Sequence, residues 1–358
     1  MIGLNNHAAT VLAPVIARFR EDAPVRQGLA NVFPNRTYRS EGIKLQVQRN
    51  KGLMAVDVMR CTGANKNKWS QWTEKLFIPP LYAEEHDLCE CDSYELVFGN
   101  SEPRPENVLT FSQDNLDKTR MERGKIWRAI ELQRWQIAQT GIVVLKNGDS
   151  INYKRKADSM KVVANAWGTA GAKVSTDLQA GMEFLRTKGL SASTEVNAVM
   201  GSNAYNNFIN DPEVIKTLEI RRSERGYSDM PMLDNVTGLA YQGTFGFGDF
   251  RFNILTFNET YIDPSDNVTV KRYLDSDNVV MFAGDFIGET AFGAVRLPRR
   301  NADGGTYIAV EEGEFGVYDY MSQNLDSWNQ VLKSNPLALP ITVDRIYTIK
   351  TNPTSTGN

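Results

Sequence analysis

The sequence predicts an α+β fold, and three observations carry that reading. Strict apolar/polar alternation begins at Ile43, the longest helical pattern of the chain runs from Asp114 to Gly141, and helices and strands alternate without a repeating unit from Thr176 onward. At 358 residues the chain is long enough to bury a substantial core and to hold two or three subdomains.

The residues before the alternation read as an arm. Arg18, Arg20, Arg26, Arg36 and Arg39 stand among Pro14, Pro24 and Pro34, with only a weak helical phrase from Leu12 to Phe19. A solvated tether is favoured over a specific nucleic-acid site, with non-specific phosphate contact left open. Residues 43–48 and 53–59 read as two strands about the turn Asn50-Lys51-Gly52. The chain then crosses a polar tip containing Lys66 and Lys68 and returns through Trp69 and Trp72 to Leu76-Phe77-Ile78-Pro79-Pro80. An isolated two-stranded ribbon is marginal in water, so this one needs support from its own body or from a neighbouring subunit. Trp69 and Trp72 supply large area for docking, or else belong to the core.

Three cysteines, Cys61, Cys89 and Cys91, are too few and too odd for a disulfide framework and fit a reducing compartment. His86, Cys89 and Cys91 lack the second pair that a zinc site requires, and read as ordinary buried or polar positions.

The long helical pattern carries two apolar stripes. Leu116, Ile126, Trp127, Ile130, Ile137 and Ala138 form one, while Met121, Leu132 and Trp135 gather on another. One stripe can pack on the protein's own sheet, and the other needs a further partner, either another part of the fold or another subunit. Arg120, Arg123 and Arg134 fall on or beside the first stripe, where they must snorkel past its edge or pair with acidic residues across a subunit boundary. Asp114 and Asp117 suit the helix start, and Gly141 suits a left-handed stop.

Residues 142–153 give a hairpin about Asn147-Gly148, and residues 154–174 read as a linker. A helix over residues 176–188, a strand over 196–200, and a helical phrase over 204–209 follow, with Asp211-Pro212 opening a further helix. Strands are expected at 239–244, 250–257, 268–274 and 279–282. The glycines of residues 243–248 fit a bulge or hairpin and not a phosphate loop. Residues 313–320 are strand-like, residues 323–332 less regular, Asn335 to Pro340 an extended apolar loop, and residues 342–350 a final strand.

Lys plus Arg at 40 against Asp plus Glu at 43 gives a net charge of −3, which recruits neither nucleic acid nor an anionic membrane as a whole. No run reaches transmembrane length. Pro14 interrupts the apolar run of residues 11–17, and no basic segment precedes it, against a signal peptide. Only two histidines are present. No nucleophile elbow, zinc-protease helix or Walker loop occurs, and Asp263, Asp266, Asp275 and Asp277 fail calcium-loop spacing. The reading is therefore not an enzyme and needs no cofactor and no metal. A carboxylate-dependent hydrolase using Asp263, Asp266 and Glu289 is the alternative from another class.

The order of elements, together with the runs IAQTGIVVLKNGD, LAYQGTFGFGDFRFNILTF, DNVVMFAG and SNPLAL, resembles the tailed-phage major capsid proteins of the lambda gene E type across nearly the whole chain. Tyr241-Gln242-Gly243, then residues 250–257, then Asp277-Asn278-Val279-Val280 is the most characteristic succession. The resemblance implies the Hong Kong 97-type capsid fold, with an N-arm at 1–40, an extended E-loop at 41–78, a peripheral (P) domain at 79–173 and 294–358 holding a spine helix at 114–141, and an axial (A) domain at 174–293. It implies assembly as hexamers and pentamers into the icosahedral head of a tailed phage, in the host cytoplasm, around packaged double-stranded DNA. The implied partners are a separate scaffolding protein, a portal protein and, optionally, a decoration protein. On this resemblance Lys66, Lys68, Trp69 and Trp72 make E-loop contacts between subunits, Met121, Leu132 and Trp135 make spine-helix contacts, and Arg18, Arg20 and Arg26 face DNA without sequence preference. The covalent cross-link of the namesake capsid is not implied, because no asparagine partner or catalytic glutamate matches. An encapsulin-like compartment shell of the same fold is the second reading.

Overall fold

A computed structural model describes residues 24–47, 73–88, 105–145, 148–219, 226–247, 249–300, 305–322 and 327–354. The first part of the chain contributes β1 (Asn35–Thr37), β2 (Ile43–Val47), β3 (Thr73–Phe77), β4 (Tyr82–Leu88), the long helix α1 (Pro105–Thr140), the hairpin β5 (Ile142–Val144) and β6 (Ser150–Asn152), and β7 (Met160–Val162). A mixed region follows with α2 (Val174–Thr187), β8 (Glu195–Met200), α3 (Ser202–Ile209), α4 (Pro212–Glu219), β9 (Gly226–Leu233), β10 (Leu239–Phe247), β11 (Phe250–Phe257), β12 (Thr260–Ile262), β13 (Val270–Arg272) and β14 (Asn278–Ala283). The remainder gives β15 (Gly288–Gly293), β16 (Val295–Arg300), β17 (Thr306–Glu311), β18 (Gly316–Ser322), β19 (Ser327–Pro340), a 3-10 turn at Val343–Arg345 and β20 (Ile346–Lys350).

These strands form two principal sheets with α1 between them. The larger runs β7-β20-β14-β8-β11-β10-β9, and the smaller runs β1-β15-β19-β18, with β4 also paired to β19. The period of two explains how the larger sheet is buried on both sides. In β14, Val279, Met281 and Ala283 enter a core shared with α2, α3 and α4, whereas Val280 and Phe282 enter the core beneath α1. β20 divides the same way, with Tyr347 and Ile349 on the first side and Ile346 on the second. The bulge expected from the glycines lies between Tyr241 and Gly243, where Gly243 has φ of 139°.

Helix α1 begins with Pro105, nine residues before the expected start, and its 36 residues make a rod of about 54 Å. Its end is the expected one. Gly141 has φ of 73°, and its N–H reaches the Ile137 carbonyl at 2.9 Å. The negative end of the helix dipole has no basic residue of its own in the last turn. Arg155 supplies the charge from outside, donating to the Ala138 carbonyl at 2.8 Å and the Ile137 carbonyl at 3.3 Å, and also to the Ile346 carbonyl and Thr348 Oγ1 of β20. Burial pushes this guanidinium down to about 10, opposed by the charge of Asp344.

Two expectations are corrected here. Residues 154–174 are not a linker, because β7 joins the larger sheet parallel to β20 and Trp167 is buried in its core. Residues 335–340 are not a loop but half of β19, paired with β15 from Asn335↔Gly293 to Pro340↔Gly288. In the ribbon, β2 pairs with β3 from Ile43↔Phe77 to Val47↔Thr73, while the expected strand at 53–59 lies outside the described residues.

Replacing Gly141 with alanine should cost about 1–2 kcal/mol for the left-handed backbone, plus displacement of Arg155, whose Cδ stands 2.5 Å from the added Cβ. Gly148, also at positive φ but with nothing within 4 Å, is the control and should lose only the backbone part. Urea unfolding of the two variants measures the difference.

Tyr347 is pushed up to about 12, chiefly by burial, and Tyr38 to about 12 by burial and its bond to Glu289. The unfolded chain therefore releases these protons first, and stability should fall from about pH 10 through pH 12. Tyr347→Phe should shallow that decline in an alkaline unfolding series, and an unchanged slope would refute the assignment.

Candidate assembly surfaces

The N-terminal segment is held to α1 by a buried ion pair. Leu29 and Phe33 are fully buried, and the Leu29 N–H donates to Glu131 Oε1 at 3.0 Å. Glu131 Oε2 accepts from Arg134 Nη1 at 3.1 Å, both side chains having no exposed surface. The rest of the guanidinium donates to Thr290 Oγ1 on β15 at 2.8 and 3.0 Å, to the Phe33 carbonyl, to Asn35 Oδ1 and to Gln27 Oε1. Burial pushes the Glu131 carboxyl up, and the facing Arg134 charge and the Leu29 N–H pull it back. Burial likewise pushes the Arg134 guanidinium down, and the facing Glu131 charge opposes that shift.

Residues 24–40 are accordingly no solvated tether. β1 pairs parallel with β15, and the Tyr38 N–H donates to the Phe292 carbonyl. Arg26, expected to face DNA, instead forms an ion pair with Glu259, so its charge is satisfied within the chain. Arg18 and Arg20 lie outside the described residues.

Along α1, Ile126, Ile130 and half-buried Trp127 pack on Phe292, Leu332 and Phe315 of the smaller sheet region, as the first stripe predicts. Leu116 departs from it and is 64% exposed. Arg134 pairs inside the subunit, Arg123 covers the Phe315 ring at 5.4 Å, and Arg120 stays in solvent beside Asp117. The second stripe divides. Trp135 is fully buried and stacks on Phe257 of β11 at 4.7 Å, which removes it as a contact between subunits. On a wheel of about 100° per residue its direction lies about 40° from Met121 and about 60° from Leu132, toward the core that it shares with Leu29 and Phe33. Met121 is 41% exposed, and Leu132 is half-buried.

Large aliphatic side chains are exposed where the ribbon meets the body, at Leu76, Ile78 and Leu81, and again on the β16–β17 hairpin, at Ile308 and Val310. The hairpin escaped the sequence reading, although the run Asp303-Gly304-Gly305 between alternating residues is a usable sequence signal. Lys66, Lys68, Trp69 and Trp72 lie outside the described residues.

No catalytic constellation gathers at the residues considered for one. Asp263 caps its own turn through Ser265 and pairs with Lys271 at 2.7 Å, and Asp266 accepts from the Val268 and Thr269 N–H groups. Glu289 sits in the other sheet and accepts from the Tyr38 hydroxyl. His86 is engaged on both ring nitrogens, by Glu122 at 2.8 Å and Asn115 at 2.7 Å, while Cys89 and Cys91 lie outside the described residues. Among the described residues no group of three His, Cys, Asp or Glu could hold a metal ion, and no helix is long and apolar enough to cross a membrane.

A long helix laid between two sheets, a two-stranded ribbon and an N-terminal segment packed on the helix define the Hong Kong 97-type capsid fold. The family model described as phage major capsid protein E matches residues 31–351, and the chain belongs to that family. It is a major capsid protein, the subunit of a shell built from many copies. Solved structures agree on the fold. A prophage capsid protein from Escherichia coli CFT073 superposes at a TM-score of 0.58 with 13% identity, covering 92% of this chain and 93% of that one. The capsid of cyanophage A-1(L) gives 0.53 at 9% identity, covering 96% and 98%. The capsid of an empty GTA particle gives 0.50 at 8% identity, covering 97% of each. No curated protein matches the chain by sequence.

Arg134→Met should leave Glu131 buried without its cation and cost about 3–5 kcal/mol in urea unfolding. The double variant Glu131→Gln with Arg134→Met should recover much of that loss, and an equal loss in both would show that the guanidinium's other bonds dominate.

Proposed function

We propose that this chain assembles as hexamers and pentamers into the icosahedral head of a tailed phage and encloses packaged double-stranded DNA. Family membership over residues 31–351 is the observation that carries the proposal. The exposed Leu76, Ile78 and Leu81 at the root of the ribbon support it, because a two-stranded element with uncovered aliphatics gains most from docking on another copy. Assembly takes place in the host cytoplasm around a scaffolding protein, with a portal protein at one vertex and a decoration protein as an optional outer addition. Contact with DNA is non-specific and falls to the residues of the arm, Arg18 and Arg20 among them.

The N-arm spans residues 1–40 and the E-loop 41–78. The peripheral domain comprises 79–173 and 294–358, and the axial domain 174–293. Sheet pairing favours one refinement, in which β7 and β20 act with the axial strands they join. Met121 and Leu132 are the spine-helix side chains with surface to offer a neighbour, and Lys66, Lys68, Trp69 and Trp72 supply the E-loop contact.

Co-expression with the scaffolding protein should give closed particles in negative-stain images, and a chain that stays monomeric under all such conditions refutes the proposal. Small shells formed without scaffold and loaded with an enzyme would support the compartment reading instead. Trp69→Ala with Trp72→Ala should reduce particle yield by tenfold or more while leaving the circular-dichroism spectrum unchanged. Loss of the folded monomer would place these rings in the core.

A further inference from the structure

The larger sheet ends in two different edges. At one end β7 pairs only with β20 among the described residues, and beside it opens a cleft of about 340 Å³. Asn278, Thr348 and Lys350 of the sheet and Leu132 and Gln136 of the helix line it. Met160 and Val162 of β7 are 41% and 57% exposed there. The charge around the cleft is mainly positive. Lys350, Arg272 and Lys161 line it, Lys161 paired with Asp177 and Arg272 donating to Ser202, and Asp275 is the carboxylate among the lining residues.

At the opposite end, six strand spacings or about 29 Å away, the β9–β10 corner presents Met232, Leu233 and Val236 at 68%, 50% and 75% exposure. This corner is rigid. Asp234 accepts from the Val236 N–H at 3.0 Å and the Thr237 hydroxyl at 2.8 Å, and its carbonyl accepts from the Gly238 N–H at 2.7 Å. Those donors hold the Asp234 carboxyl below the usual range, so the corner carries a negative charge beside its aliphatic groups. A preformed acidic and apolar knob thus stands at one edge, and a basic and apolar cleft at the other.

We propose that the cleft beside β7 receives the β9–β10 corner of a second copy of this chain, in a head-to-tail contact repeated around each ring. The inference rests on the shell reading and adds to it the two surfaces that meet. A contact between two different patches is heterologous, and such contacts close into rings when the rotation allows, whereas a self-complementary patch stops at a dimer. Charge selects among the exposed apolar elements. On the β16–β17 hairpin Arg296 pairs with Glu41 and Arg299 with Glu311, and Arg300 would bring like charge to Lys350 and Arg272.

Cysteine pairing tests this in a background with Cys61, Cys89 and Cys91 changed to serine. Four double variants combine Met160→Cys or Val162→Cys with Met232→Cys or Val236→Cys, each assembled under reduction and then oxidised. At least one should give a ladder of covalent multimers reaching five and six copies on a denaturing gel, while every single variant stays monomeric. Particles that assemble but give no ladder from any pair overturn the docking and leave the shell reading intact. A single variant that forms covalent dimers in high yield overturns it as well, by showing a self-complementary contact. Failure of the serine-background parent to form rings or particles, under conditions where the native sequence also fails, would sink the shell reading and this inference with it.

Discussion

The ion pair between Glu131 and Arg134 is the contact that the rest of the subunit depends on. Two charges with no exposed surface are tolerable only if every group around them is placed to receive them. Here the guanidinium reaches Thr290 on β15, the Phe33 carbonyl, Asn35 and Gln27, while the carboxylate takes the Leu29 N–H. One turn of α1 thereby fixes the path of the N-terminal segment and the position of the smaller sheet together. Arg155 does the corresponding work at the helix end, joining its last carbonyls to Ile346 and Thr348 of the larger sheet. The helix is keyed to one sheet by an arginine in its middle and to the other by an arginine beyond its end.

With its interior settled in this way, the subunit leaves many of its large exposed aliphatics at its edges. Leu76, Ile78 and Leu81 stand at the ribbon, Ile308 and Val310 on a hairpin, and Met160, Val162 and Met232 at sheet edges. Open sheet edges and uncovered hairpins are hazards for a monomer. In a member of a shell-forming family the same features are where copies meet, so their positions follow from what the body of the protein does not need to bury.

Much of this was legible where a local period determined the outcome. The helix, its glycine stop, the following hairpin and the strands β10, β11 and β14 follow from spacing that the structure keeps. What failed was information held by distant partners. Met160 to Val162 is a strand only because β20, nearly two hundred residues later in sequence (about that separation), offers it an edge. Asn335 to Pro340 looks like a loop because proline is excluded from strands bonded on both sides. It is tolerated at Pro336 because this half of β19 pairs with β15 alone, β18 and β4 having both paired with the earlier half. Trp135 shows the limit of the helical wheel, since a wheel gives direction but not what arrives there. Residues 24–40, with scattered arginines and prolines, held no signal that Leu29 and Phe33 would cover that tryptophan's side of the helix.

The low identity to structures that share the fold fits this division of labour. At 13% identity, few side chains can be held in common with the prophage protein over the 92% of this chain that superposes. A two-sided sheet asks only that apolar residues occupy both faces of β14 and β20, which many sequences satisfy. A buried ion pair is more demanding, because its carboxylate, its guanidinium and their acceptors must all be present at once. An apolar pair at residues 131 and 134 could pack against the same neighbours with α1 shifted along its axis, since aliphatic contacts are non-directional. Thr290, the Phe33 carbonyl and the Leu29 N–H admit the guanidinium and carboxylate in one register only, and that selection, more than added stability, is what the charges contribute to a subunit whose surfaces must repeat identically around a shell.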